Sequence, residues 1–565
     1  MEQLTWFGAY GTTFASLLFV GFALAIVAGL CAALLAFTNS SPRSSFLLFN
    51  GIAVLLVIFV GFNYVYGGIS GSEDDGMGLS TLGVLLAIIA GLGVFAAMLS
   101  VFLNTFFDNP AGFMGLIFKW SLYVVSILIA IWLIVTLLFQ GSAHSAWLSG
   151  FEGDALPPAE DISRHKYVST FENRGILANI FVRFMPVWLS LIVLYALSIH
   201  YKRRLGLYGK LFDSIIGMIG FGLVMFWVFT AFYVGLFDMI GTHGALEQAS
   251  GMKNKLPGTP LSGAEAGEYP FYLLGGDSLA RDVFSRMVEG SVIVICIAPL
   301  ATLFAFMVGI TLGLPAGYYG GKLDTFLSFL ANLILAFPVI LLFYLLVTPE
   351  IVLTGLPQYM ALILFAFPLL FFGVMINSRF RTQPGKNFLY LAIVLIPLFL
   401  VYAMAINDPS TTSKIRFWPF DYFDIPSGIL VVFVSVVFVN SPTVFRIVRG
   451  LALDIHTRDY VAAAQTRGEG PWYIMLWEIL PNARGPLIVD FCLRIGYTTI
   501  LLGTLGFFGL GLPPESPDWG STINEGRKLL SIFPHPALPP AFALLTMVLG
   551  LNLLADGLRE ESLRD

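Results

Sequence analysis

The amino-acid sequence predicts an all-α polytopic membrane protein, and three observations carry that reading. Hydrophobic residues make up 57% of the 565 positions and charged residues only 12%, with a mean hydropathy of +0.84, so there are too few polar side chains to cover a water-soluble globule. The apolar residues gather into runs of about twenty, the length a helix needs to cross the hydrocarbon core of a bilayer. Lysine and arginine collect in alternate loops between those runs, as short cytoplasmic loops do.

Taken in order, the first run at 11–37 follows Met1 and Glu2 with no positive segment and is too long for a cleaved signal peptide, so it reads as a retained span. Arg43 leads into the run at 46–66, and the acidic Glu73, Asp74 and Asp75 precede 80–103. The next run, 115–138, is followed by an acidic stretch from Glu152 to Asp161, and 178–199 ends in the basic segment His200 to Arg204. The polar segment Gly241 to Glu289 separates 212–240 from 291–312, and Lys322 precedes 326–348. Arg379, Arg381 and Lys386 lie between 357–377 and 388–405. Trp418, Phe417 and Tyr422 then read as an aromatic interface belt. The last runs are 429–448, 487–510 and 536–555, which brings the total to about thirteen spans. The basic loops predict the N-terminus outside and the C-terminus in the cytoplasm.

Composition and motifs narrow the function. A net charge of −5 offers no basic face to neutralise phosphates, which argues against nucleic acid as a partner. The three cysteines, Cys31, Cys296 and Cys492, all fall inside apolar runs and read as inert thiols. The six histidines sit mostly at span ends or in loops and form no metal-binding pattern, so no metal site is expected. The segment Gly317 to Lys322 has the wrong glycine spacing for a phosphate loop, and Leu323 stands where a magnesium-binding Ser or Thr would be needed. No cofactor is expected on this chain. Any ATP and magnesium would act on separate subunits.

The stretch from Asp459 to Pro486 carries the most information. Tyr460 to Thr466 is Ala-rich and helix-forming, with Asp459 or Thr457 available as N-cap and Gly468 placed where a helix ends. Ala463 and Ala464 are small enough to let another surface approach closely. Pro471 suits the first turn of a second helix, and Pro481 is expected to stop it. The result is a compact helix-turn-helix outside the bilayer.

This stretch resembles the "EAA" coupling loop of ABC importer permeases, at Ala462, Ala463, Ala464, Gly468, Leu480, Pro481 and Asn482. Two positions depart from that pattern: its Glu is Ala462, and a frequent His is Glu478. Further ordered matches extend the resemblance to the C-type permeases of the dipeptide/oligopeptide/nickel family. They are Leu274 to Arg286, with Ala280 where the pattern has Gly; Gly317 to Thr325; Ala336 to Pro338; Phe507 to Arg527; and Asp556 to Glu560.

What the resemblance implies is a six-helix type I importer core within residues 206–565, with a coupling loop at 455–486 and an inserted helix pair at about 350–428. Residues 1–205 form an additional N-terminal membrane region outside the resemblance. It further implies that Tyr460 to Gly468 docks on an ATPase subunit, and that the partners are a second permease subunit in a heterodimer, two ABC ATPases, an external solute-binding protein and membrane lipid. Localisation would be the bacterial-type inner membrane, and peptide is the expected substrate on family frequency.

Other residues have two readings each. Asp490 and Arg494, one helical turn apart, line the translocation path or subunit seam, or form an intrahelical pair with Arg494 snorkelling. Arg281, Asp282 and Arg286 contact the binding protein or anchor an interfacial helix. Gly506, Gly509, Gly511, Pro513, Pro514 and Pro517 mark a helix end and an external turn, structural or part of an outer gate. The alternative class of function is an ATP-independent ion-coupled carrier, for which Asp213, Asp238 and Asp490 are the candidate acids, or a structural subunit of a membrane complex.

Overall fold

The computed structural model describes residues 3–8, 11–37, 99, 110–138, 159–261, 268–406, 427–510 and 516–562. The expected spans at 46–66 and 80–103, the aromatic loop at 417–422 and the prolines 513 and 514 lie outside the described residues, residue 99 apart. The longer helices are α1 (Gly11–Phe37), α2 (Pro110–Leu138), α3 (Ala159–Arg183), α4 (Met185–Tyr201), α5 (Ile215–Phe237), α6 (Val283–Tyr319), α7 (Gly321–Leu335) and α8 (Val339–Val347). They continue with α9 (Leu356–Leu364), α10 (Ala366–Phe380), α11 (Pro384–Ile406), α12 (Ser427–His456), α13 (Asp459–Thr466), α14 (Arg484–Phe507), α15 (Trp519–Arg527) and α16 (Leu538–Ser562). Among the described residues nine helices are long and apolar enough to cross a membrane, or ten if a bent pair is counted as one. The chain is an all-α polytopic membrane protein.

Two compact units divide the chain. The first comprises Met1–Arg183, Gln248–Val283 and Gly526–His535; the second comprises Phe184–Glu247, Phe284–Glu525 and Pro536–Asp565. The boundary thus falls ahead of α4, a helix the sequence groups with the N-terminal region.

In the first unit α1 packs on α2 through small residues: a Cβ at Gly21 would lie 2.8 Å from Val125, and one at Gly29 would lie 3.0 Å from the Phe118 ring. Close backbone approach of this kind is how helices associate in lipid, where no hydrophobic gain separates helix from solvent. α3 is kinked at Gly175 (φ 73°), which frees the next amides, and Ile176 N–H and Leu177 N–H donate to Thr5 and Trp6 carbonyls at 2.9 and 3.1 Å. A Cβ at Gly175 would sit 2.2 Å from Gly8 N, so only glycine satisfies both the left-handed φ and the contact. Gly175→Ala is therefore expected to destabilise the first unit by at least about 1–2 kcal/mol, read as earlier thermal aggregation of the detergent-solubilised chain. A two-stranded antiparallel ribbon, β1 (Thr259–Pro260) with β2 (Phe271–Tyr272), completes this unit.

In the second unit α5 begins at Ser214, whose hydroxyl accepts from Gly217 N–H at 3.3 Å, and ends at Asp238 in the left-handed conformation. It packs on α16 at Gly220 and Gly550, and α16 packs in turn on α14. α6 presents Gly309, Gly313 and Gly317, one turn apart, to Val444, Val448 and Ala452 of α12. α12 is the most enclosed of the described spans and α11 the most exposed. The expected span at 326–348 is not one straight helix: α7 and α8 meet at a 79° bend. Pro338 causes it, because a proline disfavours helical backbone in the residue before it and offers no N–H to the preceding turn.

Candidate functional site

The loop after α12 is built on one inward stripe. Val461 and Ala464 of α13 are fully buried in a cluster with Val444, Val448, Ala452 and Ile455 of α12, Ile474, Met475 and Ile479 of the following turn, and Leu487 of α14. Each large apolar member contributes about 1.5–3 kcal/mol by leaving water, and together they make α12, α13 and α14 one packed body. Tyr460, Ala462, Ala463, Gln465, Thr466 and Arg467 face out. Ala463 is thus one of the small surface residues expected, whereas Ala464 is small because it packs inward. The helix N-cap is Arg458, with Asp459 in the first turn where its charge suits the helix dipole.

Gly468 closes α13. Its φ is 77°, its N–H donates to Gln465 O at 3.0 Å, and Glu469 N–H donates to Ala464 O at 3.3 Å, the two bonds of a Schellman cap. Nothing lies within 4 Å of where a Cβ on Gly468 would be. Gly509 ends α14 in the same way, with φ 69° and paired bonds from Gly509 and Leu510 back to Gly506 and Leu505. The second helical pattern departs from expectation. Pro471–Tyr473 opens it, Ile474–Ile479 widens to a π-helix, and Pro481 sits in the first turn of Leu480–Asn482 instead of ending a helix. A proline ring clashes with the carbonyl four residues back, and the wider π turn relieves that clash so the chain runs on into α14.

Polar contacts brace the loop. Arg467 pairs with Glu478 at 2.8 Å, tying the end of α13 to the π turn. Gln465 donates to Tyr318 OH of α6 at 3.2 Å. α10 also reaches the loop: Ser378 Oγ accepts from Trp477 Nε1 at 3.1 Å, and Arg379 donates to Tyr473 OH at 3.2 Å while its guanidinium lies 4.9 Å from the Trp477 ring centroid. Sequence reasoning missed these contacts, which join residues far apart in the chain.

The charged residues expected at an external contact lie inside the fold. In the first unit Arg281 and Asp277 pair at 2.7 Å with both side chains 2% exposed, and Asp282 is buried in a bridge to Gly276. Ala280, between them, adopts φ 64°, a strained conformation that accounts for the glycine of the family pattern. In the second unit Arg286 is buried, donating to Ser516 O and Thr522 Oγ1 at 3.2 Å each and lying 3.5 Å from Glu525. Arg281, Asp282 and Arg286 are therefore interior groups, and the expected contact with a binding protein does not extend to their side chains.

Asp490 and Arg494 pair at 2.7 Å on α14 with side chains 17% and 9% exposed, so Arg494 is held in the protein and does not snorkel. One turn on, Thr498 Oγ1 accepts from Asn440 Nδ2 of α12 at 3.2 Å and lies 3.3 Å from Thr302 Oγ1 of α6. Removing one charge of a buried pair costs about 3–5 kcal/mol. Arg494→Ala should therefore lower the amount of chain in the membrane, and the swap Asp490→Arg with Arg494→Asp should restore both amount and uptake. Recovery of amount without uptake would return Arg494 to the translocation path. The other carrier acids are no better placed, since Asp213 pairs with Lys202 at 2.6 Å and Asp238 is exposed.

Fold and loop together define a polytopic membrane subunit with a braced helical hairpin on one end of its bundle. Residues 309–560 match the family of binding-protein-dependent transport system inner membrane components. A glutathione transport system permease protein of Pectobacterium atrosepticum is 30% identical over 287 residues, covering 51% of this chain and 70% of that protein. A dipeptide transport system permease protein of Alkalihalophilus pseudofirmus is 26% identical over 324 residues, covering 57% of this chain and 81% of that protein. Its counterpart in Haemophilus influenzae is 26% identical over 294 residues, covering 52% and 74%. The chain belongs to this family: it is an inner-membrane permease subunit of an ABC importer.

Proposed function

We propose that this subunit moves peptides, short or modified, into the cytoplasm by alternating access driven by separate ATPase subunits. The observation that carries the reading is the coupling loop: a helix whose exposed outer face carries the small Ala462 and Ala463, and whose inner face is packed with α12 and α14. A push on Ala462 and Ala463 would move those spans as one body, because a close-packed core transmits displacement. The relatives' names, for dipeptide and glutathione systems, support the substrate class.

In this reading the complex contains a second permease subunit, two ATPases that hold the ATP and magnesium, and an external binding protein. Residues 1–205 are an additional membrane region, 206–565 the permease core with the pair near 350–428 inserted, the N-terminus is outside and the C-terminus cytoplasmic. The test is proteoliposomes of the whole complex with its binding protein. Loading that protein with a dipeptide should raise ATP hydrolysis and drive labelled dipeptide inward. Hydrolysis indifferent to any peptide would contradict the substrate assignment.

A further inference from the structure

We infer that the turn joining α10 to α11 is a second docking element for the ATPase subunit, one that presents Arg381 and Lys386 to an acidic surface beside the coupling helix. This rests on the reading that α13 docks an ATPase. The turn lies at the same end of the bundle as α13, because α10 is bonded to the hairpin through Ser378 and Arg379. A Cβ on Gly470, in the turn just after α13, would lie 3.5 Å from a terminal nitrogen of Arg381. Whatever seats on α13 therefore meets this turn as well.

Residues 381–386 are all exposed. Their chemistry is one-sided: Arg381 and Lys386 are positive, the intervening Thr382, Gln383, Pro384 and Gly385 are neutral, and neither cation takes part in an ion pair among the described residues. The neighbouring cations differ, since Arg458 pairs with Asp454 and Arg467 with Glu478. Arg379 is spent internally, clamping the tip in place over Trp477. Two unpaired cations on a braced turn, next to a docking helix, suit a carboxylate-bearing protein surface. Such rim charges act mainly on the rate of association and on its salt dependence.

The experiment uses the full complex in membranes with Gln383→Cys, Ala463→Cys or Leu353→Cys, each in a Cys296→Ala chain because Cys31 and Cys492 are buried. A benzophenone maleimide is attached and photolysed. The expected result is a crosslink to the ATPase from positions 383 and 463 and none from 353, at the other end of the inserted pair. A crosslink from 463 but not from 383, or one from 383 only to the second permease, overturns the inference and leaves the coupling reading standing. No crosslink from either position overturns both. R381E/K386E should slow ATPase association roughly tenfold at low salt, an effect that shrinks as salt rises. An unchanged rate at low salt counts against the docking role.

Discussion

Gly468→Asp is expected to abolish ATP-driven uptake while leaving the chain folded in the membrane. The position combines a left-handed φ of 77° with open space around the missing Cβ. Aspartate tolerates that conformation better than most residues, and its side chain has nothing within the chain to strike. The Schellman cap therefore survives and the carboxylate projects from the surface where the ATPase would seat. An unpaired charge buried at an interface costs about 2–5 kcal/mol, and since about 1.4 kcal/mol is tenfold in affinity, docking should weaken by roughly two orders of magnitude. Uptake and ATP hydrolysis measured in the same proteoliposomes check this. Normal uptake from a variant present at normal amount would mean that the loop does not dock.

Arg286→Met is expected to cost about 3–5 kcal/mol of stability in the second unit, because it leaves Glu525 and Asp518 without their buried cation. Arg286 joins the start of α6 to the Ser516, Thr522 and Glu525 side of α15. Burial pushes the Asp518 carboxyl above its usual range, opposed by hydrogen bonds from Ser521 and by the Arg286 charge. Trp519 closes the same junction, its indole N–H donating to Met287 O at 2.8 Å. Adding Glu525→Gln to Arg286→Met should recover part of the loss, and Arg286→Lys should be intermediate, since the contacts to Ser516, Thr522 and Glu525 all come from one guanidinium nitrogen, Nη2, and an ammonium keeps the charge on a shorter, differently shaped arm. Thermal stability of the detergent-solubilised chain reads all three. A variant as stable as the parent would mean that the guanidinium is not locked in the junction.

Most of the described spans and the helix Asp459–Thr466 were legible in the sequence because local chemistry sets them. Apolar runs of bilayer length fold as helices whatever surrounds them, and an Ala-rich segment closed by Gly468 has one favourable local structure. What was not legible depended on distant partners. Arg281 and Arg286 read as surface charges until Asp277 and Glu525 are placed beside them, although the spacing of Asp277 and Arg281, one helical turn if helical, was a usable signal. Ala464 could not be told from Ala463 without knowing which face meets α12. Pro338 and Pro481 show the same limit: the span at 326–348 reads straight through Pro338, which bends it by 79°, and Pro481 reads as a stop but is absorbed by a π turn. The grip of α10 on Trp477 joins residues about a hundred positions apart and has no local trace at all.

If this permease works by docking a soluble motor on the loop around α13, the motor should stay with the chain when it is extracted. The most direct test is mass spectrometry of what co-purifies with the tagged full-length chain from its native membrane in mild detergent, with the Gly468→Asp chain alongside. ATPase subunits and a second permease are expected with the parent chain, and the second permease without ATPase is expected with the variant. Recovery of the parent chain with no ATPase subunit would contradict that docking.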